Sequence, residues 1–424
     1  MKSFKGLLLA TAVPTAMLSV VSTVQANSPP HDEHMVLVDT IDLQAQTPLQ
    51  GFDISFTNSK LDLYIFADRS NGSVDFFNAS DATFLYRVDG FKGLVLNDNG
   101  TANNALSGPD GVLFVGTKEV WAGDGDSTLK VIDLASRKIV DSISTGGTKR
   151  VDEMAYDPAD HIIAVANNAD QPPFVTLVNT DTHKILGKIL FDGNNGTPDA
   201  TTTGIEQPGY SPTTGMFYVS VPQIVAGDAN AAKGGVSAID PISMKVTHTF
   251  EVDKCTPAGL AIGPNNDVLV GCGGVFDKAT QSAIVNVKTG ETHYVPEVGG
   301  SDQVWYDPGT HHYYLAAYHN LDSSGKANPV LGTIDALTRT FDGNVASSIT
   351  SHSVAAERKS RHVFVPVGVA APGVTPPLPD PTNPCPDALK AKGCIAVYLP
   401  SSVDSDDRNK HEMESDDRFE QASH

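Results

Sequence analysis

The chain has 424 residues, 40% of them hydrophobic, with 37 glycines and 27 prolines. That composition excludes a disordered or fibrous chain and fits a turn-rich globular protein of one large domain or two ordinary ones. A formal net charge of −21 argues against nucleic acid and anionic membrane surfaces, which need basic patches; it suits cationic partners or metal ions, and equally serves simple solubility.

Residues 1–26 read as a cleaved signal peptide. Lys2 and Lys5 form a basic start, an apolar run from Leu7 to Val21 follows, and Val24-Gln25-Ala26 is a small-x-small cleavage site. No cysteine follows the site, so no lipid anchor is expected. No later segment is apolar for long enough to span a bilayer. The expected location is periplasmic or secreted, with no stable membrane insertion. Next, Met35 to Leu43 (MVLVDTIDL) has strand character but no hairpin partner of its own.

From Phe52 onward a phrase in two parts recurs. The first part is a polar residue, a short apolar strand, a turn and a strong strand. Its seven copies start at Phe52, Pro109, Asp152, Glu206, Pro257, Asp302 and His352. The second part is a hairpin whose polar turn opens with Asp or Asn. The clearest hairpins are LKVIDLASRKIV from Leu129, VTLVNTDTHKIL from Val175, VSAIDPISMKVT from Val236 and AIVNVKTGETHYV from Ala283. Period-two alternation around a polar turn marks a hairpin. Repetition at a fixed spacing points to a radial array of small sheets.

The predicted fold is therefore all-β, a seven-bladed β-propeller over residues 35–400. The seventh unit supplies three strands, the last at Cys394 to Pro400. The strand at Met35 to Leu43 is expected to pair into that C-terminal blade, closing the ring and covering exposed strand edges. Residues 401–424, with DSDD and ESDDRFE, read as an acidic disordered tail.

Four cysteines are present, Cys255, Cys272, Cys385 and Cys394. An even count in an oxidising compartment favours disulfides. Of the three connectivities, local pairing of Cys255 with Cys272 and of Cys385 with Cys394 is preferred. The spacings fit no zinc-binding pattern.

In a propeller the first strand of each blade lines the central channel, and function gathers on loops at one face of the disc. The residues just ahead of the first strands are Asp53, Asp110, Asp152 with Glu153, Glu206 with Gln207, Thr256 with Pro257, Asp302 with Gln303, and His352. Five of the seven positions carry a carboxylate, although Asp and Glu are depleted in strands. Converging carboxylates repel one another unless a cation, a proton or a donor intervenes. Asp53, Asp110, Glu153, Glu206, Asp302 and His352 form a candidate set for a divalent metal: Ca²⁺, Mg²⁺, Mn²⁺ or Zn²⁺. A carboxyl with a raised pKa there could serve as a general acid or base. The competing expectation is that each acid accepts hydrogen bonds from its own turn. A second ring follows the second strands and offers Arg69, Asn168, Asp170 and His319 as ligand contacts. Gln207 and Gln303 join this set from the first ring. Arg69 stands among acids, where an ion pair is its expected role.

The VIDLASRKIV-type hairpin resembles the YVTN repeat of YncE-like exported bacterial β-propellers. The resemblance covers residues 35–400. WAGDGDSTLKVIDL, AYDPADHIIAVANNADQPPF and GGSDQVWYDPGTHHYYLAA are similar to one subgroup of uncharacterised periplasmic members. It implies the propeller fold and an exported binding protein, with a small-molecule ligand or a periplasmic protein as partner. Neighbouring propeller families include lactonases with a metal at the central channel. This chain departs from their pattern by offering several Asp and Glu residues at the channel.

A purely scaffolding role on the outer blade surfaces is one expectation, and two functions at the channel face stand beside it. One is a binding module that holds a ligand, divalent metal or partner protein on the acidic channel face. The other is a metal-dependent hydrolase of lactonase or esterase type, with Glu153, Glu206, Asp302 and His352 as catalytic residues.

Overall fold

The computed structural model describes residues 35–227, 233–273, 281–373 and 380–401. The expected signal peptide (1–26) and the acidic tail beyond Ser401 lie outside the described residues.

Among the described residues the chain forms seven four-stranded antiparallel sheets. The first strands are Ser55–Asn58, Val112–Val115, Met154–Asp157, Pro208–Ser211, Pro257–Ile262, Val304–Asp307 and Ala355–Ala356. Each packs against the first strand of the next blade, and Ala355–Ala356 packs against Ser55–Asn58. The first strands therefore make a closed inner ring, and the fold is a seven-bladed β-propeller. Six sheets take their strands in chain order from the centre outward. In the seventh, Met35–Ile41 is outermost and pairs antiparallel with Cys394–Pro400, from Met35↔Pro400 to Ile41↔Ile395.

Burial follows position in the blade. The second strands Ile162–Asn167, Asp267–Cys272 and His312–Ala317 are buried at every residue. They are covered on both faces by neighbouring blades, so their sequences run apolar without strict alternation. The outermost strand Lys138–Ser144 alternates between exposed residues and ones that are partly or fully buried, because one face meets water. The core lies between blades. Ile65, Val74 and Phe76 of blade 1, for example, pack with Val112, Val120 and Ala122 of blade 2.

Two glycines allow close approach beside the channel. A Cβ on Gly111 would overlap the backbone of Asp152 and Glu153 in the next blade. A Cβ on Gly259 would overlap the carbonyl of Asp302. These first strands can lie against the neighbouring acids only because the side chain is missing.

Disulfides join Cys255 to Cys272 and Cys385 to Cys394, with Cα–Cα distances of 4.9 and 5.9 Å. The first ties together the two ends of the inner hairpin of blade 5. The pair point to an oxidising, extracytoplasmic location. No helix among the described residues is long and apolar enough to cross a membrane.

Candidate functional site

One backbone hydrogen bond, repeated, positions the acids. The N–H of Asp53 donates to the Ala67 carbonyl at 3.0 Å, Asp110 to Gly123 at 3.0 Å, Asp152 to Ala166 at 2.8 Å and Glu206 to Ser220 at 2.9 Å. Asp302 makes the equivalent bond to Ala316 at 3.4 Å. Each extends the ladder between first and second strands by one step, so acids from different blades arrive at the same end of the inner ring. There all of these acids except Asp110 border a cavity of about 330 Å³, lined by Asp53, Asp152, Glu153, Glu206, Asp302 and His352. That volume is at the small end of the range for ligand sites, about 300–1,000 Å³. Arg69, Arg150, Phe52 and Tyr318 complete the part of the wall that matters chemically.

The half of the mouth built by blades 1 to 3 is neutralised from within. Arg69, 4% exposed, bridges Asp53 and Asp110, its Nε donating to Asp110 Oδ1 at 2.9 Å. Arg150 Nη2 donates to Asp152 Oδ2 at 2.8 Å, and its Nη1 stands 3.5 Å from Asp53. Arg150 Nε donates to Asn168 Oδ1 at 3.2 Å. Oxygens of Asp53, Asp110 and Asp152 lie within 4.8 Å of one another, a spacing that could hold a metal ion. Two guanidinium groups already occupy that neighbourhood, and a dication placed there would repel both. The bonds of Asp53, Asp110 and Asp152 go to guanidinium groups, and the turn-capping expectation does not describe these three.

The remaining acids, Glu153, Glu206 and Asp302 from blades 3, 4 and 6, have a different setting. Glu153 is 5% exposed and its Oε2 is buried with no hydrogen-bond partner among the described residues. Burial, and then the charges of Asp152 and Asp302, push the carboxyls of Glu153 and Glu206 well above the usual range. Burial, and then the Asp53 charge, push Asp302 up to about 7. Burial also lifts Asp152 to about 7 against the pull of Arg150. Asp53 goes the other way: burial is outweighed by Arg69, Arg150 and His352, and its carboxyl falls below the usual range. Burial likewise pushes Asp110 well above the usual range against the pull of Arg69, so among the acids bonded to guanidinium groups only Asp53 is held in its charged form. Glu153, Glu206 and Asp302 are all raised, and each holds its proton more tightly than a free carboxyl unless a cation neutralises it.

An aromatic wall borders these acids. Phe52 and His352 stack with ring centroids 4.1 Å apart, and Tyr318 lies 5.7 Å from His352. His352 Nδ1 is 2.9 Å from the Thr350 carbonyl and its Nε2 is 3.3 Å from the Phe52 carbonyl. Carbonyls only accept, so both ring nitrogens face groups that want an N–H. A metal ligand must instead present a lone pair. Burial lowers the His352 pKa, which favours the neutral ring; that ring has one N–H, so only one of the two carbonyls receives a hydrogen bond.

Other residues expected to contact ligand have structural partners. Gln207 Oε1 accepts from the Leu260 amide at 2.8 Å, joining blade 4 to blade 5. The Gln303 side chain bonds to Ser55, Ser353 and Val354, joining blades 6, 7 and 1. Asp170 accepts from the amide and hydroxyl of Thr148 at 2.8 and 2.9 Å. His319 is exposed and stacks on Tyr318 at 3.8 Å. Gln207, Gln303, Asn168, Asp170 and His319 are not among the cavity-lining residues. Sequence reasoning missed Arg150, Tyr318 and Phe52. A basic residue two positions ahead of Asp152 was the available signal for the first.

Fold and site together define a seven-bladed β-propeller with an acidic cavity at one mouth of its channel. No family model matches the sequence, and no curated protein matches it. A solved structure of Kuenenia stuttgartiensis hydrazine synthase contains a similar chain, with a TM-score of 0.57 at 12% identity, covering 76% of this chain and 94% of that one. At that identity the likeness shows the fold alone.

Proposed function

We propose that this chain is an exported, YncE-like β-propeller binding module that holds a small positively charged ligand at its acidic channel mouth. One observation carries the reading: Glu153, Glu206 and Asp302 line a shared cavity while both nearby guanidinium groups are bonded to other acids. The ligand is then the missing counter-charge. A rigid disc with loops at one face suits holding such a ligand for uptake, sensing or delivery. Equilibrium dialysis of the purified protein against CaCl₂, MnCl₂, ZnCl₂ and small organic ammonium salts tests it. Stoichiometric retention of one of them, lost in Glu206→Gln, is the expected result; retention of none would remove the proposal.

A second reading, a metal-dependent lactonase or esterase, draws on the 4.8 Å grouping of Asp53, Asp110 and Asp152. It requires a stoichiometric metal and chelator-sensitive hydrolysis. The bonded state of Arg69 and the carbonyls that face both ring nitrogens of His352 favour binding without that chemistry.

A further inference from the structure

We propose that the cavity takes a small primary amine in its ammonium form, the charge seated on Glu153, Glu206 and Asp302 and the carbon body against Phe52, His352 and Tyr318. The inference rests on the reading of the cavity as a cation site and narrows it to one ligand class.

The first support is the buried Oε2 of Glu153, which has no donor among the described residues. A buried acceptor left unmet is costly, and a primary ammonium brings three N–H donors together with its charge. A quaternary ammonium brings charge without a donor. The second support is the aromatic wall. Phe52, His352 and Tyr318 line the same cavity as the acids, and ring faces attract a cation while their apolar surface covers an alkyl chain. A hard metal ion needs about six to eight oxygen ligands, and this wall supplies rings where those oxygens would have to be. The third support is the engagement of Arg69 and Arg150 by carboxylates. Neither guanidinium is free to receive an anion, so the ligand is an amine without an adjacent carboxylate, in preference to an amino acid.

Calorimetric titration of the full exported chain at pH 8 tests this with four probes: butylammonium chloride, tetramethylammonium chloride, glycine and CaCl₂. Butylammonium is expected to saturate one site, with tetramethylammonium and glycine each weaker by about tenfold or more. Glu153→Gln and Tyr318→Leu should each weaken butylammonium by about tenfold. Tyr318→Phe, which keeps the ring, should retain binding and controls for misfolding. Saturable Ca²⁺ binding with no butylammonium binding would overturn the amine assignment and leave the cation site standing. Undiminished butylammonium binding in Tyr318→Leu would also overturn it. Binding of none of the probes would remove both readings.

Discussion

Arg69 is the residue that lets two acids share the mouth of the channel. It is buried, and it bridges Asp53 and Asp110 from adjacent blades. Arg69→Met would leave both carboxyls in a desolvated site without the guanidinium that bonds them, with Arg150 Nη1 at 3.5 and 3.7 Å as the remaining cation. The expected loss is about 3–5 kcal/mol of stability, measured by denaturant unfolding. Arg69→Lys should recover little of it, because an ammonium cannot bridge two carboxylates as a guanidinium does. A loss below about 1 kcal/mol for the Met variant would mean the bridge is incidental. In the proposed cation site the buried acids would set the pH response of binding. Asp302 and Asp152 are pushed up to about 7 by burial. A cation binds the ionised carboxylate, so affinity should rise between pH 5 and pH 8. Calorimetric titration at several pH values checks this, and a flat profile would contradict it.

The repeated strand pair is the element that builds the site, and it was legible because its phrase of polar residue, short strand, turn and strong strand recurs seven times. The acids ahead of the first strands were legible for the same reason, as a polar interruption at a fixed place in each repeat. What was lost is the alternation of side chains across the pleat. Glu206 and Asp302 line the cavity, whereas Gln207 and Gln303 stitch neighbouring blades together. His319 was selected where Tyr318 forms the wall, a one-residue error that changes the face. Arg150 comes from a loop without strand periodicity, and no local pattern aims it at Asp152. Two tests belong at this scale. Gly111→Ala would force a first strand off the Asp152–Glu153 backbone. It should cost about 1–3 kcal/mol by denaturant unfolding and weaken cation binding together, since overpacking at this contact moves the acids; a neutral outcome in both would show that the contact relaxes freely. Removing residues 35–41 would expose the edge of Cys394–Pro400. The truncated chain should melt lower and self-associate in size-exclusion chromatography; an unchanged monomeric protein would show that the outer strand is dispensable.

For the whole molecule, buried acids set the pH dependence of stability. Burial is the largest influence on each: Asp68 is raised to about 6, Asp75 to about 8, and Asp152 and Asp302 to about 7. In the unfolded chain an Asp titrates near ~3.9. Between those values the folded protein holds protons that the unfolded chain releases. This contribution is fully present below about pH 4 and is lost as pH rises through 6 to 8. Asp53, held low by Arg69 and Arg150 against burial, acts in the opposite direction. Its contribution is constant above about pH 4 and is lost only in more acid solution, so between pH 5 and pH 8 the raised groups decide and Tm should fall by several degrees; a constant or rising Tm would contradict this. A bound cation should offset that loss at pH 8, where the carboxylates are ionised. The propeller supplies the frame in which all these acids meet. The most direct measurement is calorimetric titration at pH 8 of butylammonium chloride and CaCl₂ into the protein and into the triple variant Glu153→Gln/Glu206→Gln/Asp302→Asn. One saturable site in the unmodified protein, abolished in the variant, is the expected result. Equal binding by both proteins, or none by the unmodified one, would contradict a cation site at the channel mouth.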